Sequence, residues 1–240
     1  MIKLGIIGAM TVEIETLKAQ MLDIKVREHA SMTFFEGSLE GLPVVVVVCG
    51  VGKVNAAICV QVLCDCFGVT HIVNTGVAGS LCSQLDIGDL VISTRAMYHD
   101  FDCHNLNSDY PIGQVPGLSV HAFPADPVLA ELAFNAAEQV HTGHAQMGVV
   151  ASGDQFVCDK EHKNRIVTNT GALCTEMEGA AISHAAWRNG IPFVIIRAIS
   201  DKADDTAQMD YPTFEAIAAQ RCSSVTRLLA INIKKIKAAD

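Results

Sequence analysis

Short apolar segments that end in glycine and lead into segments with helical periodicity recur along this chain. The valine-rich run of residues 44–49 ends at Gly50, and apolar residues then recur at helical spacing over residues 54–67. Further strands are predicted at residues 3–8, 71–74, 90–93, 147–151, 172–175 and 192–199, and further helices at residues 9–20, 126–140 and 214–235, with another helix ending at residue 188. This alternation predicts an α/β fold, a three-layer sandwich in which helices flank a mixed, mainly parallel central sheet.

The length and the composition fit one folded domain. The 240 residues are 50% hydrophobic and 18% charged, so most of the chain has to be buried. No linker rich in Pro, Gly or Ser divides the sequence, and we predict a single domain over residues 1–240. The longest apolar run, residues 42–48, contains Pro43 and is too short to cross a bilayer, and no export signal is recognised. We therefore expect a cytoplasmic protein with no membrane partner.

Charge and cysteine spacing argue against other partners. The formal net charge is -9, and basic residues cluster only around Lys234 and Lys235, so a nucleic-acid partner is not expected. The nine cysteines lie mostly in apolar surroundings, and the spacing of Cys64 and Cys66 suits neither a metal site nor a redox pair. We interpret the cysteines as small buried side chains in a reducing compartment, and we expect no metal and no other cofactor.

Most of the unusual polar chemistry follows the ends of predicted strands. In mainly parallel sheets, ligands bind where the carboxyl ends of the strands meet. Five such ends are Gly8-Ala9-Met10, Cys49-Gly50-Val51, Thr75-Gly76-Val77, Glu176-Met177-Glu178 and Ser200-Asp201. The third belongs to a glycine-rich segment, residues 75–79, which we interpret as a turn whose backbone N–H groups approach a ligand.

Two carboxylates at these ends suit the cleavage of a ribose from a purine. In that reaction the leaving base is protonated while water attacks the opposite face of a cation-like sugar. Asp201 follows an apolar strand, where burial would raise its pKa and make it an acid, and Glu13 would be the base. Each alone has a simpler explanation, Glu13 as a carboxylate at a helix N-terminus and Asp201 as a cap or turn residue. Their occurrence together with Glu176 and Glu178 in a charge-poor chain favours the functional interpretation.

Other side chains near these ends are candidates for binding the sugar and the base. A glutamate accepts hydrogen bonds from two ribose hydroxyls at once, so Glu178 is a candidate sugar ligand with Met177 packed under the ring. Phe156 is a candidate stacking partner for the purine, although a single phenylalanine more often belongs to a core. Arg197 has two explanations: it orients the carboxylates, or it forms a structural ion pair with Glu176 or Glu178.

Several motifs, taken in order, resemble those of one enzyme family over nearly the whole chain. They are Gly5-Ile6-Ile7-Gly8-Ala9-Met10 with Glu13, Gly50-Val51-Gly52-Lys53-Val54, Asn74-Thr75-Gly76-Val77-Ala78-Gly79, Tyr98-His99-Asp100, Ser152-Gly153-Asp154, Glu176-Met177-Glu178 and Arg197-Ala198-Ile199-Ser200-Asp201. Each motif is weak alone, but the ordered set is specific. The set resembles the methylthioadenosine/S-adenosylhomocysteine nucleosidases, within the purine nucleoside phosphorylase superfamily.

The resemblance implies a role for each candidate. Glu13 corresponds to the base that activates water, and Asp201 to the acid that protonates N7 of adenine. Phe156 corresponds to the stacking residue, and the backbone of Val157 to the group that reads the adenine edge. The other implied substrate contacts are Glu178 and Met177 at the ribose, Arg197 and Glu176 on the side of the water and the sugar, Met10, Val51 and Tyr211 in an apolar 5′ pocket, and Ala9, Val77 and Ser200 at the strand ends.

The resemblance also implies a homodimer. Residues 97–127 are predicted to form a long loop that crosses into the neighbouring subunit, where Pro116 and Cys103 would complete the 5′ pocket. The chain departs from the family in two places: Thr11-Val12 replaces a run of glutamates after Met10, and Val77 stands where a serine hydroxyl often helps to hold the water or the sugar. We expect the loss of one such hydrogen bond, worth about 1 kcal/mol, to slow hydrolysis without abolishing it.

The implied activity is hydrolysis of 5′-methylthioadenosine and S-adenosylhomocysteine, with 5′-deoxyadenosine as a further candidate, in methionine salvage. A phosphorylase would instead require a cationic cradle for phosphate, and Asn74 stands where bacterial phosphorylases offer arginine. An aminodeoxyfutalosine nucleosidase would use the same carboxylates and differ in the 5′ pocket. A dinucleotide-binding module is disfavoured because its Gly-x-Gly-x-x-Gly fingerprint is absent. The presence of both carboxylates argues against a non-catalytic nucleoside-binding protein.

Overall fold

The computed structural model describes residues 2–106 and 109–237. Its described part contains ten strands and six helices, in which the predicted alternation is clear. In chain order they are β1 (Leu4–Gly8), α1 (Thr11–Ala19), β2 (Leu22–His29), β3 (Met32–Leu39), β4 (Leu42–Val48), α2 (Lys53–Phe67), β5 (His71–Ser80), β6 (Leu90–Tyr98), β7 (Phe123–Pro124), α3 (Pro127–Val140), β8 (Ala145–Ser152), α4 (Lys160–Thr170), β9 (Cys174–Glu176), α5 (Gly179–Arg188), β10 (Phe193–Asp201) and α6 (Ala207–Lys237).

All ten strands belong to one mixed sheet in which β5 is central. Strand β5 pairs in parallel with β1 along its first half and with β10 along most of its length, and its last two residues pair with β9. Strands β10, β6, β8 and β9 follow one another and return to β5, so this half of the sheet closes on itself. The other half continues from β1 through β4 and β3 to the edge strand β2.

Helices cover both faces of the sheet. Buried side chains of α2 and α5 pack with one face, and those of α1, α3 and α6 pack with the other. The predicted fold class, an α/β sandwich of three layers, is therefore confirmed. Among the residues described, none of the helices combines the length and the hydropathy needed to cross a lipid bilayer.

Several elements differ from the sequence-based prediction. Strands β2 and β3 and helix α4 were not predicted, and α6 begins at Ala207 rather than at residue 214, with Pro212 inside it. The segment predicted as a glycine-rich turn, residues 75–79, is the second half of β5. Strand β6 and the short β7 take up part of the predicted loop over residues 97–127, of which residues 107 and 108 lie outside the described part.

The cysteines are less uniformly buried than expected. All nine are free thiols, and Cys49, Cys59, Cys174 and Cys222 are buried in the core. Cys66 is exposed, which contradicts the expectation that every cysteine is a buried apolar side chain, and the other four are partly exposed. Cys66 lies on α2 one residue before its last residue, Phe67, where the helix side chain faces solvent.

Candidate functional site

One cavity lies at the carboxyl ends of the central strands and collects nearly all of the candidate residues. Its walls are formed by Ala9, Met10, Glu13, Val51, Val77, Ala78, Gly79, Gln155, Phe156, Val157, Thr175, Glu176, Met177, Glu178, Ser200, Asp201 and Tyr211. Three candidates, Arg197, Pro116 and Cys103, do not line it. The strand-end rule therefore located the cavity, because β1, β5, β9 and β10 all finish beside it.

Glu13 is held by backbone donors on two elements. It is the third residue of α1 and only 2% exposed. The N–H groups of Ala9 and Met10 donate to its Oε2 at 2.6 and 2.9 Å, and the N–H group of Val77, in β5, donates to Oε1 at 3.0 Å. Burial raises the pKa of this carboxyl, although Arg197 and the three backbone donors oppose the shift. The result is an immobile carboxylate with increased basicity, as a general base requires.

Gly76 makes this position of Glu13 possible. It lies in β5 directly before Val77, and a Cβ atom added there would overlap with Glu13 Oε1 and with Arg197 Nη1. Any larger residue would force both charged groups to move. The glycine in this strand therefore serves close approach of side chains to the backbone and not a turn.

Asp201 ends β10 on the opposite side of β5 from β1. The side chain is 3% exposed; Ser200 Oγ donates to its Oδ2 at 2.9 Å and the N–H group of Ala203 donates to Oδ1 at 2.8 Å. Burial raises the pKa of Asp201, while these two hydrogen bonds lower it. Because Asp201 is the last residue of β10 and α6 begins only at Ala207, Asp201 is not a helix cap. A buried carboxyl with a raised pKa suits a proton donor.

Arg197 lies behind the cavity wall in a buried polar cluster. Its Nη2 donates to Glu176 Oε2 and, at 2.5 Å, to Asn74 Oδ1. Ser152 Oγ donates to the other oxygen of Glu176. Burial would lower the pKa of Arg197, but the carboxylates of Glu176, Glu13 and Glu178 raise it. Of the two explanations for Arg197, the structural ion pair with Glu176 is present, and Arg197 influences the cavity through the residues that it holds.

Glu178 extends into the cavity from the N-terminus of α5. The N–H group of Gly52 donates to its Oε1 at 2.8 Å, which ties the turn after β4 to this side chain. Burial and the neighbouring Glu176 raise the pKa of Glu178 to about 8, with Arg197 opposing them. Its carboxyl group, with Met177 beside it on the wall, can therefore accept or donate hydrogen bonds near neutral pH.

The outer part of the cavity is apolar. The rings of Phe156 and Tyr211 meet edge to face, with centroids 5.7 Å apart, and the Tyr211 hydroxyl lies 3.3 Å from Met10 Sδ. Phe156 and Val51 are about half exposed, at 47% and 49%, although both are large apolar residues. Apolar side chains left open beside a cavity with several carboxylates are typical of a ligand site.

Comparison with known proteins identifies the family. A family model described as the phosphorylase superfamily matches residues 3–231. Two curated proteins called 5′-methylthioadenosine/S-adenosylhomocysteine nucleosidase, from Staphylococcus carnosus and Halalkalibacterium halodurans, are 38% and 40% identical and cover 92% and 96% of this chain and 96% and 98% of their own. The chain belongs to this nucleosidase family. The resemblance inferred from the ordered motifs is therefore confirmed.

Solved structures agree with this family membership. The S-adenosylhomocysteine nucleosidase of Streptococcus pyogenes, in complex with 5-methylthiotubericidin, has a TM-score of 0.91 and 34% identity, and the match covers 96% of this chain and 97% of that chain. A futalosine hydrolase of Helicobacter pylori also has a TM-score of 0.91, with 31% identity and coverage of 96% and 98%. The fold is thus shared by nucleosidases whose names give different substrates.

Some residues of this nucleosidase family member stand apart from the predicted site. Pro116 and Cys103 lie in the long loop and do not line the cavity of their own chain. Their predicted place is a neighbouring subunit, and that remains a prediction. Conversely, the sequence-based candidates omitted Ala78, Gly79, Gln155 and Thr175, which do line the cavity. All four lie within or directly beside a motif that was recognised, so extending each set of candidates by one or two residues would have found them.

Only one group of side chains in the described residues has the spacing of a metal site, and it lies outside this cavity. The ligand atoms of Asp89, His141 and His144 are within 4.8 Å of one another. Arg221 Nη1 lies 2.9 Å from His141 Nδ1, and His144 Nδ1 lies 2.8 Å from Asp89 Oδ1. A guanidinium group at that position repels a metal ion and occupies one imidazole nitrogen. The hydrogen bonds of the cluster account for its geometry without a metal.

Proposed function

We propose that this nucleosidase family member hydrolyses the N-glycosidic bond of 5′-methylthioadenosine and S-adenosylhomocysteine, releasing adenine and the 5-thioribose product. One observation carries the proposal: Glu13, in α1, and Asp201, at the end of β10, line the same cavity, and burial raises the pKa of both. Hydrolysis of a nucleoside needs a base on one side of the sugar and an acid on the other, and the cavity contains a candidate for each.

The residues act in one sequence. Asp201 donates its proton to N7 of adenine, which lets the base leave as a neutral molecule while the C1′–N9 bond breaks. Glu13 removes a proton from a water molecule, whose oxygen bonds to C1′ on the face opposite the base. Glu178 accepts hydrogen bonds from the ribose hydroxyls and stabilises the positive charge that develops on the ring. One water molecule is consumed, and Glu13 and Asp201 have exchanged protonation states at the end.

The composition of the cavity wall supports water as the nucleophile. Four carboxyl groups, those of Glu13, Glu176, Glu178 and Asp201, line the cavity, and no Lys or Arg does so among the residues described. Phosphate carries negative charge and needs cationic donors close to the sugar. The nearby guanidinium of Arg197 is already engaged by Glu176 and Asn74.

The apolar outer wall supports a thioether substituent at the 5′ carbon. Met10, Val51 and Tyr211 line this end of the cavity and offer no charged group to a polar 5′ substituent. Such a wall favours a methylthio group, leaves S-adenosylhomocysteine with its charged end toward the opening, and also admits 5′-deoxyadenosine. These substrates suit a cytoplasmic enzyme of methionine salvage.

A homodimer is the arrangement that we propose for the enzyme. Val51, Val54 and Ile58, spaced at three and four residues, are exposed at 49%, 71% and 42% on and just before α2. An apolar stripe of this kind beside a cavity is suited to burial by another subunit. A second copy in that position would allow residues 97–127, with Pro116, to close the 5′ pocket.

Adenine release tests the function directly. Each nucleoside is incubated with the enzyme in phosphate-free buffer and with added phosphate, and adenine and the sugar product are quantified. We expect equal rates in the two buffers and an unphosphorylated sugar. Strict dependence on phosphate would identify a phosphorylase, and tight nucleoside binding without adenine release would identify a non-catalytic binding protein. Either result contradicts the proposal.

A second candidate substrate is favoured by one comparison, the futalosine hydrolase of Helicobacter pylori with its TM-score of 0.91. The same two carboxylates would act on an aminodeoxyfutalosine, whose 5′ substituent is larger. Parallel assays should give a higher kcat/KM for the thioether nucleosides, because the wall of Met10, Val51 and Tyr211 is apolar. A preference for the futalosine nucleoside would reassign the substrate and leave the catalytic residues unchanged.

A further inference from the structure

Thr175 places an unused hydroxyl group in the cavity wall. The residue is 6% exposed and lies in β9, directly before Glu176 and Met177. Its Oγ1 is buried and has no hydrogen-bond partner among the described residues, although the residue lines the cavity. A buried hydroxyl without a partner is costly, and the cost is removed when a ligand supplies the partner.

The register of the sheet places Thr175 in line with Asp201. Gly79 of β5 pairs with Thr175 of β9 on one side and with Asp201 of β10 on the other. The pairing of Gly79 with Thr175 directs these two residues to the same face of the sheet, whereas the register of β10 shifts just before Asp201. A Cβ atom at Gly79 would lie 2.7 Å from Asp201 Oδ1, which shows that the carboxyl group reaches over this glycine. The same added atom would lie 2.9 Å from Ala203 Cβ, so the missing side chain of Gly79 makes room for Asp201 and Ala203. Asp201 and Thr175 lie on the two strands that flank Gly79.

A planar purine fits this arrangement. With Phe156 as the stacking partner of the base, the edges of the ring face the cavity wall, which includes Asp201 and Thr175. The edge with N7 faces Asp201 in the proposed reaction, and the backbone of Val157 forms hydrogen bonds with the edge that carries N1 and the exocyclic amine. The edge across from N7 carries N3, which accepts hydrogen bonds and cannot donate them. A threonine hydroxyl donates, so the two groups are complementary.

We propose that Thr175 donates a hydrogen bond to N3 of the adenine base and is a further residue that determines base specificity. This inference rests on the proposed function, because it takes the orientation of the base from the role of Asp201. The hydrogen bond fixes the orientation of the base in the cavity and draws electron density from the ring. Both effects help the base to leave as Asp201 protonates N7.

Binding of free bases tests the inference independently of turnover. Dissociation constants for adenine and for 3-deazaadenine, in which C–H replaces N3, are measured with the unaltered enzyme, with Thr175→Val and with Thr175→Ser. Valine has the shape of threonine without the hydroxyl, and serine keeps the hydroxyl. We expect Thr175→Val to weaken adenine binding about threefold to tenfold and to leave 3-deazaadenine binding unchanged, while Thr175→Ser binds adenine nearly as well as the unaltered enzyme.

Two outcomes would overturn the inference. Equal weakening of both bases by Thr175→Val would mean that the side chain only supports the wall, and no weakening of adenine binding would mean that no hydrogen bond is made. Thr168→Val, an exposed threonine of α4, is the matched control and should change neither constant. If Thr175→Val does not fold, as judged by circular dichroism, Thr175→Ala takes its place in the same comparison.

The binding test also separates this inference from the proposed function. An enzyme that releases no adenine from any nucleoside, but binds adenine with the expected dependence on N3 and on Thr175, would contradict hydrolysis and retain the role of Thr175. An enzyme that releases adenine but shows no such dependence would support hydrolysis and contradict the role of Thr175.

Discussion

Replacement of Glu13 by glutamine removes the basic carboxylate and keeps the size and shape of the side chain. Three backbone donors hold the native carboxylate: the N–H groups of Ala9 and Met10 donate to Oε2, and that of Val77 donates to Oε1. A glutamine amide has one acceptor oxygen, so its better orientation keeps the first two donors and turns its NH2 group toward the N–H group of Val77. One hydrogen bond of the three is lost, and the Val77 donor stays buried without an acceptor.

Two opposing effects set the stability of Glu13→Gln. An unsatisfied buried donor costs about 1–3 kcal/mol. Burial raises the pKa of Glu13 above 4.5, so the folded chain binds this proton more strongly than the unfolded chain does, and stability is lost as the pH rises from 4.5 through the raised pKa. The glutamine variant does not ionise and escapes that loss. We therefore expect the free energy of unfolding to change by less than about 2 kcal/mol at pH 7, and to shift in favour of the variant as the pH rises from 4.5.

Turnover should respond much more strongly than stability. A glutamine cannot remove the proton of the attacking water, so kcat should fall about 100-fold to 10,000-fold. Adenine release is measured with 5′-methylthioadenosine, and unfolding with urea at two pH values. Glu15→Gln is the control, because Glu15 lies on the same helix with its side chain exposed. A kcat of Glu13→Gln within about fivefold of the control, in a folded protein, would refute the assignment of the base.

Three further substitutions test the same site. Asp201→Asn should lower kcat at least about 100-fold. Because the protonated acid is the active form and burial raises its pKa, the decline of kcat/KM at high pH should disappear in this variant. An unchanged decline would mean that another group causes it. Arg197→Met leaves the carboxylate of Glu176 buried without its cation and should lower the free energy of unfolding, measured with urea, by about 3–5 kcal/mol. Arg227→Met, at an exposed ion pair, should lower it by less than about 1 kcal/mol. Equal losses would contradict the structural role of Arg197. Val77→Ser adds a hydroxyl to the cavity wall and should raise kcat/KM about fivefold relative to Val77→Ala, and a serine variant no better than the alanine variant would argue against a missing hydrogen bond there.

The sequence was most informative where burial and periodicity agree. The valine run of β4 and the apolar run of β10 are buried on both faces, and such strands have continuous apolar sequences. The carboxylates that follow strand ends were conspicuous because the chain has few charges. Since the carboxyl ends of parallel strands meet at one edge, a linear list of strand ends predicted that these carboxylates lie close together, whereas Val157 and Tyr211 were expected only from the family resemblance.

The elements that escaped prediction lack that agreement. Strand β2 is exposed along nearly its whole length and alternates apolar with charged residues, so its formation depends on pairing with β3 and not on burial. Helix α4 is polar, with only Ile166 and Thr170 buried. The glycines at residues 76 and 79 suggest a turn by composition alone, yet they lie within β5. Only the three-dimensional positions of Glu13, Arg197 and Asp201 explain why side chains are excluded there.

The distribution of charge in the site follows from those glycines. Without a side chain at Gly76 or Gly79, β5 allows Glu13 and Asp201 to approach its backbone. Backbone N–H groups and the Ser200 hydroxyl, rather than Lys or Arg side chains, donate hydrogen bonds to the two carboxyl groups. Backbone donors stabilise an anion without adding a full positive charge, so burial still raises the pKa of both groups. A cation in their place would lower those pKa values and attract phosphate. The same two glycines therefore favour both acid–base chemistry near neutral pH and water as the nucleophile.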